Sequence, residues 1–280
     1  MTWLLDWSEF HLVPYINPDG AHVSEFDTPH RKNMDSDDGC TQYPYYGVDM
    51  NRNASFKWNL GGRSGDHCAG TYRGPSAGSE PEIQAVQNYI LSLFPDQRGP
   101  NDNDPAPLDA MGTFISLHSA GEEVLVPWRW NESPTANDAQ IATFGRKMGF
   151  YNDYEVFGAD DKYRASGNLL DFPYGELGVM GVTFELGTSQ FQSCSYFESG
   201  IVPGNLDAFF YALKAARRPY QKPAGPEAID VVVNPETVIQ GTLVQLTATV
   251  DDTRYDSNGF GIEPTQEIQA ARYSIDLPSW

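Results

Sequence analysis

Two short apolar runs, each closing on a single ionisable residue, constrain this chain most. Residues 112–117 read Gly-Thr-Phe-Ile-Ser-Leu and stop at His118, and residues 178–184 read Gly-Val-Met-Gly-Val-Thr-Phe and stop at Glu185. Runs that are continuous rather than alternating predict strands covered on both faces. Such strands belong to an α/β sheet, where ligand and catalytic groups gather outside the carboxyl ends. His118 and Glu185 are therefore the first candidate functional pair. Taken singly, a histidine at a strand end serves as readily as a structural hydrogen-bonding group. A carboxylate that ends an apolar run invites a raised pKa and base chemistry.

The other elements follow from punctuation and period. Residues 11–16 predict a strand stopped by the turn Asn17-Pro18-Asp19-Gly20. Residues 21–73, rich in Gly, Asn and Asp, predict mostly loop, and a loop of that length is usually functional. Ser79-Glu80-Pro81-Glu82 reads as a capping box that opens a helix. Ile83, Val86, Ile90 and Leu93 share one face of it, and Pro95 ends it. Residues 123–128 predict a second extended piece. Residues 138–148 predict a helix with Ile141, Phe144 and Met148 inward. Residues 203–218 predict another, presenting Leu206, Phe209, Phe210 and Leu213, with Lys214, Arg217 and Arg218 at the negative end of its dipole.

Three prolines and a glycine at 219–226 mark a linker. Beyond it, residues 229–233 and 243–250 have the texture of an Ig-like β-sandwich. The sequence stops 54 residues after Pro226, where about 100 make a seven-stranded sandwich. The expected organisation is an α/β domain over 1–218, with a mixed sheet and helices on both faces, the linker 219–226, and a partial sandwich over 227–280.

Charge excludes some partners. With 18 Lys and Arg against 38 Asp and Glu, the formal charge is −20, which repels nucleic acid and anionic membranes. No run approaches the roughly 20 apolar residues that cross a bilayer. Met1-Thr2-Trp3-Leu4-Leu5-Asp6 is not a signal peptide; it reads like the end of a helix entering a strand. Three cysteines do not make a disulfide scaffold or a four-cysteine metal site. A bridge between Cys40 and Cys68 would staple a long loop and imply an oxidising compartment. Cys194 is left over, and nothing near it marks a nucleophile.

Five separated strings occur in an order that resembles the M14 family of zinc metallocarboxypeptidases. They are Asn17-Pro18-Asp19-Gly20 followed by His30-Arg31-Lys32-Asn33; Gly47-Val48-Asp49-Met50-Asn51-Arg52-Asn53; His118-Ser119 with Glu123 and Val126-Pro127-Trp128; Tyr163-Arg164-Ala165-Ser166-Gly167; and Thr183-Phe184-Glu185-Leu186. The resemblance runs from about Trp3 to about Tyr211. It implies an enzyme that removes the C-terminal residue of a peptide and uses Zn2+. By that resemblance, Asn51 and Arg52 clamp the peptide carboxylate, Arg31 stabilises the oxyanion, Glu185 is the general base, Tyr163 caps the substrate and His118 is a zinc ligand. Leu170 and Arg129 fall at side-chain pocket positions, Leu170 suiting apolar C-terminal residues. The Arg129 cation either favours acidic side chains or turns to solvent. Ala120 stands where a tyrosine is more usual. The same resemblance implies the Cys40–Cys68 bridge and a secreted or periplasmic protein.

Catalytic zinc needs three protein ligands and an open position. In the family the other two come from an HxxE motif ahead of the Asn-Pro-Asp-Gly turn. Here the only such string, His22-Val23-Ser24-Glu25, lies after the turn, which reads as coincidence. The chain therefore reads as the later two-thirds of a carboxypeptidase domain, inactive as a fragment. The rival reading is a non-catalytic protein that binds peptide C-termini. A deacylase of small N-acyl amino acids is a third.

Overall fold

The computed structural model describes residues 2–26, 29–37, 39–43, 45–159, 161–253 and 258–275. The main sheet holds β1 (Thr113–His118), β2 (Glu123–Leu125), β3 (Glu155–Phe157) and β4 (Met180–Glu185). β4 lies inside it, whereas β1, expected to be covered on both faces, lies at its edge with Leu117 exposed. The sheet order is β1-β4-β2-β3. β1 runs parallel to β4, β2 is antiparallel to β4 and β3 is parallel to β2. The sheet is thus mixed.

Met180 to Phe184 are all buried, so β4 is covered on both faces, as its unbroken apolar run requires. The α-helices among the described residues are α1 (Thr2–Asp6), α2 (Pro18–Ser24), α3 (Pro81–Leu93), α4 (Asp138–Asn152), α5 (Asp171–Leu177), α6 (Cys194–Tyr196) and α7 (Val202–Ala215), and the cover of β4 comes from α7 and the start of α5. Phe209 of α7 meets Phe184, with ring centroids 5.6 Å apart. Leu170, at the start of α5, reaches Gly181, whose side of the strand is the opposite one. Ile141, Phe144 and Met148 are buried on α4 as the period predicted, and the helix runs four residues further than expected, to Asn152.

Other expectations also fail, for identifiable reasons. Residues 11–16 form no strand; residues 11–15 lie exposed, Ile16 is half-buried, and they have no ladder partner among the described residues. The turn beside them is the start of α2. Asn17 accepts from the Gly20 N–H as N-cap, and Pro18 occupies the first helical position, where its missing N–H costs nothing. The capping box at Ser79 does not form either. Pro81 at the first position of α3 makes Glu80 the N-cap, and the Ser79 hydroxyl donates to Glu80 Oε1 at 2.6 Å instead. On α7 the buried face is Asn205, Ala208, Tyr211, Ala212 and Ala215, whereas Leu206 is exposed and Phe209, Phe210 and Leu213 are only partly covered. Tight helix packing selected the small residues. The larger apolar ones, Phe209 and Leu213, border a cavity of about 1170 Å³ that runs between the 7–17 segment, α3, β1 and α7.

After α7, β5 (Glu227–Asn234) pairs antiparallel with β6 (Gln245–Asp251). These two strands are the only ones of this second sheet among the described residues, so no sandwich layer is seen here. Buried ion pairs tie the region to α4. Lys147 Nζ lies 3.0 Å from Glu227, and Arg146 Nη2 lies 2.5 Å from Glu263. Cys40 and Cys68 are joined in a disulfide, and Cys194 is free and exposed.

Candidate active site

The parallel pairing of β1 with β4 sets His118 directly opposite Glu185 at the carboxyl ends of both strands. The antiparallel pairing of β2 brings Glu123 opposite Glu185 from the other side. Burial, and then repulsion from Glu123, push the half-buried Glu185 carboxyl above its ordinary value; Arg31, Lys162 and Arg129 pull the other way. Such a carboxylate is a better base than an exposed one. His118 moves down to about 4, first by burial and then by the cations Arg31 and Arg52. Its imidazole is therefore neutral at neutral pH, the form that can ligate a metal.

The long loop delivers the remaining groups. A 3-10 turn (Met50–Arg52) is capped by Asp49, whose carboxylate accepts from the Asn51 N–H. The other Asp49 oxygen accepts from Arg31 Nε at 2.8 Å. Asp49 is thus one buried carboxylate that orders both Arg31 and the turn. Burial opposes the Arg31 charge, but the Asp49 carboxylate outweighs it, and the guanidinium pKa is raised. Asn51 Nδ2 lies 3.4 Å from His118 Nε2, and Asn51 Oδ1 accepts from the Leu169 N–H at 3.0 Å. Arg52 is 3% exposed; its Nε donates to the Gly62 carbonyl and one Nη to the Asn51 carbonyl, leaving the second Nη unused by those bonds.

Gly62 has φ of +59°, and a Cβ there would stand 1.5 Å from the Arg164 carbonyl oxygen. Only glycine permits that approach. It brings the Arg52 anchor against the segment that carries Tyr163, whose ring centroid lies 6.0 Å from Arg52 Cζ. The Tyr163 residue itself is 69% exposed.

The sequence-predicted residues do not all share one cavity. Arg31, Asn51 and His118 line the large one, together with apolar side chains, while Glu185, Arg52 and Tyr163 do not. Leu170 is 3% exposed and packs toward Gly181. Arg129 is buried rather than turned to solvent. Three groups escaped assignment from sequence. Asp49 stands two residues before Asn51, at an N-cap position that was a readable signal. Asp171 accepts from the Arg129 and Trp130 N–H groups and from Asn168; its identity alone gave no sign of this. Lys162 pairs with Glu123 at 2.8 Å, a long-range contact that no local pattern announces.

Among the described residues no three His, Cys, Asp or Glu side chains come together as a metal site. His22 and Glu25 lie 3.5 Å apart on the exposed surface of α2. The donor set offered by His118 and its surroundings does not fit a three-ligand catalytic zinc.

The mixed sheet and the strand-end pair define an α/β fold with a candidate site at the carboxyl ends of β1 and β4. The zinc carboxypeptidase family of M14 peptidases matches residues 1–209, and the chain belongs to it. Mouse mast cell carboxypeptidase A is 30% identical over 188 residues, 64% of this chain and 40% of that protein. Rat carboxypeptidase A1 is 26% identical over 210 residues, 72% of this chain and 46% of that protein. The chain therefore spans less than half the length of these relatives. The structure of thrombin-activatable fibrinolysis inhibitor superposes with a TM-score of 0.63 at 21% identity, covering 77% of this chain and 53% of that one. Carboxypeptidase A of Helicoverpa armigera gives 0.56 at 24% identity. These two likenesses concern the fold.

Proposed function

We propose that this chain carries the peptide-binding and general-base part of a secreted or periplasmic zinc carboxypeptidase, and that residues 1–280 alone do not hydrolyse peptides. The observation that carries the reading is the His118–Glu185 strand-end pair with Asn51 reaching His118. In this reading Asn51 and the unused Nη of Arg52 receive the free carboxylate of a peptide; a planar fork suits a carboxylate. Tyr163 covers that end of the substrate. Arg31, held by Asp49, stands by for negative charge developing on the scissile carbonyl. Glu185 is the proton acceptor for water, and its raised pKa supports that role. His118 supplies one neutral nitrogen toward a metal whose other ligands are not among the described residues.

A second reading is favoured by that same shortage of donors: a protein that binds peptide C-termini without cutting them. The test is an assay of the purified chain, with zinc and with a chelator, on blocked dipeptides ending in Phe, Leu and Glu. The proposal expects negligible turnover in every case. Chelator-sensitive cleavage would overturn it and would direct mutagenesis to His22 and Glu25. A version extended upstream with an HxxE-bearing segment is expected to cleave if the enzyme reading holds, and not to cleave if the binding reading does.

A further inference from the structure

The guanidinium of Arg129 gives its donors to main chain. Nη1 donates to the Gly158 carbonyl at 2.6 Å and Nη2 to the Tyr163 carbonyl at 3.1 Å. The residue is 5% exposed. Its own backbone is fixed from the other side. Both Asp171 oxygens accept from its N–H, at 2.9 and 3.0 Å, and its carbonyl accepts from the Ala165 N–H at 2.7 Å. Asp171 is anchored in turn by Asn168 Nδ2 at 2.6 Å and the Trp130 N–H at 2.9 Å. The base of Arg129 is thus tied to the start of α5, and its tip grips the main chain at Tyr163 and at Gly158. A flat fork with several donors can bridge two carbonyls in this way; a lysine ammonium on a flexible stem cannot hold both in one fixed geometry. A neighbouring fastening, Lys162 to Glu123, acts on the residue just before Tyr163.

We propose that Arg129 is a positioning residue that fixes the backbone under Tyr163, and so sets where the tyrosine ring stands relative to Arg52 when a peptide carboxylate is bound. The inference rests on the reading of Asn51, Arg52 and Tyr163 as the substrate-carboxylate site and deepens it. It also assigns the pocket cation to the protein's own carbonyls. Arg129 then confers no preference for acidic C-terminal residues.

Two readouts on the 280-residue chain, made without zinc and with a chelator present, test this. The first is trypsin cleavage after Lys162 and Arg164, mapped by mass spectrometry. Losing two hydrogen bonds to a charged donor predicts cleavage there roughly tenfold or more faster in Arg129→Gly, with Arg129→Lys between it and the parent, and no change at Arg73. The second is the dissociation constant of benzoyl-Gly-Phe and of benzoyl-Gly-Glu. Arg129→Gly is expected to weaken both by about the same factor, roughly five- to tenfold. Arg129→Lys, which keeps the charge, is expected to restore only part of the loss. In a Tyr163→Ala background Arg129→Gly should change neither affinity further. Unchanged cleavage overturns the clasp. Faster cleavage with unchanged affinity, or an equal loss in the Tyr163→Ala background, overturns the positioning role. A loss confined to benzoyl-Gly-Glu makes Arg129 a specificity cation and also overturns it. If the parent chain binds neither dipeptide, the carboxylate-site reading and this proposal both fall, and the cleavage rates still report whether Arg129 grips the segment.

Discussion

Asp49 holds Arg31 by a 2.8 Å bond from the guanidinium Nε while its other oxygen caps the turn that presents Asn51 and Arg52. One buried carboxylate therefore sets the relative placement of three candidate substrate groups. Replacing Asp49 with Asn keeps the shape but leaves Arg31 without its counter-charge. We expect Asp49→Asn to weaken binding of a blocked dipeptide by about 1–3 kcal/mol, since hydrogen bonds to charged groups carry that order of energy. Calorimetric titration of parent and variant checks this; equal affinities would remove Asp49 from the site.

The Lys147–Glu227 pair lies in the interior, with Lys147 surrounded by Phe150, Tyr151 and Tyr211. Removing one partner strands a buried charge, which costs roughly 3–5 kcal/mol. Glu227→Ala should lose about that much stability in urea unfolding. The pair Lys147→Met with Glu227→Leu should recover most of the loss, because apolar replacement leaves no charge behind. A loss below about 1 kcal/mol for the single variant would mean that the 227 segment separates from α4 in solution.

Stability against pH should carry two opposed slopes. Burial raises the Asp171 carboxyl from 3.8 to about 6. Its folded pKa exceeds the unfolded one, so its contribution is full below about pH 4 and is lost as pH rises through 6, roughly 3 kcal/mol in all. His118 moves the other way, from 6.5 to about 4. Its contribution is full above pH 6.5 and is lost as pH falls through 4. Between pH 4 and 6 the parent should therefore vary little. Asp171→Asn should lose stability toward acid across that window, and His118→Gln should gain it. Urea unfolding at half-unit intervals of pH decides; two variants with parallel curves would contradict the assignments.

Much of this was legible in the sequence because local chemistry decided it. The β4 run buries Met180 to Phe184, so both its existence as a strand and its cover followed from pattern. β1 also forms a strand, but it lies at the sheet edge with Leu117 exposed. Its parallel pairing with β4, which sets His118 opposite Glu185, is not encoded in either run. The failures lie where non-local geometry overrode local signals. Residues 11–16 look like a strand, but among the described residues no strand pairs with them. Ser79 looks like a cap, but Asn53 and Glu80 occupy its hydroxyl. Leu206 and Leu213 look like a core face, yet α7 packs on its small residues. By sequence Arg129 faces either substrate or solvent, whereas its partners are two carbonyls about 30 residues onward, which no sequence period encodes.

Thiol counting checks the long loop. Under denaturing, non-reducing conditions one free thiol, Cys194, is expected. Reduction of the Cys40–Cys68 bridge should lower stability by about 3 kcal/mol in the chain-entropy picture. Three free thiols in protein purified from an oxidising compartment would refute the bridge.

The central claim, that this chain recognises a free peptide carboxylate through Asn51 and Arg52, is tested most directly by calorimetric titration with benzoyl-Gly-Phe and its C-terminal amide. The account predicts measurable binding of the acid, at least about tenfold weaker binding of the amide, and loss of that difference in Arg52→Gln, in line with the energy of charge-assisted hydrogen bonds. Equal binding of acid and amide by the parent chain, or an Arg52→Gln variant that still distinguishes them, would contradict it.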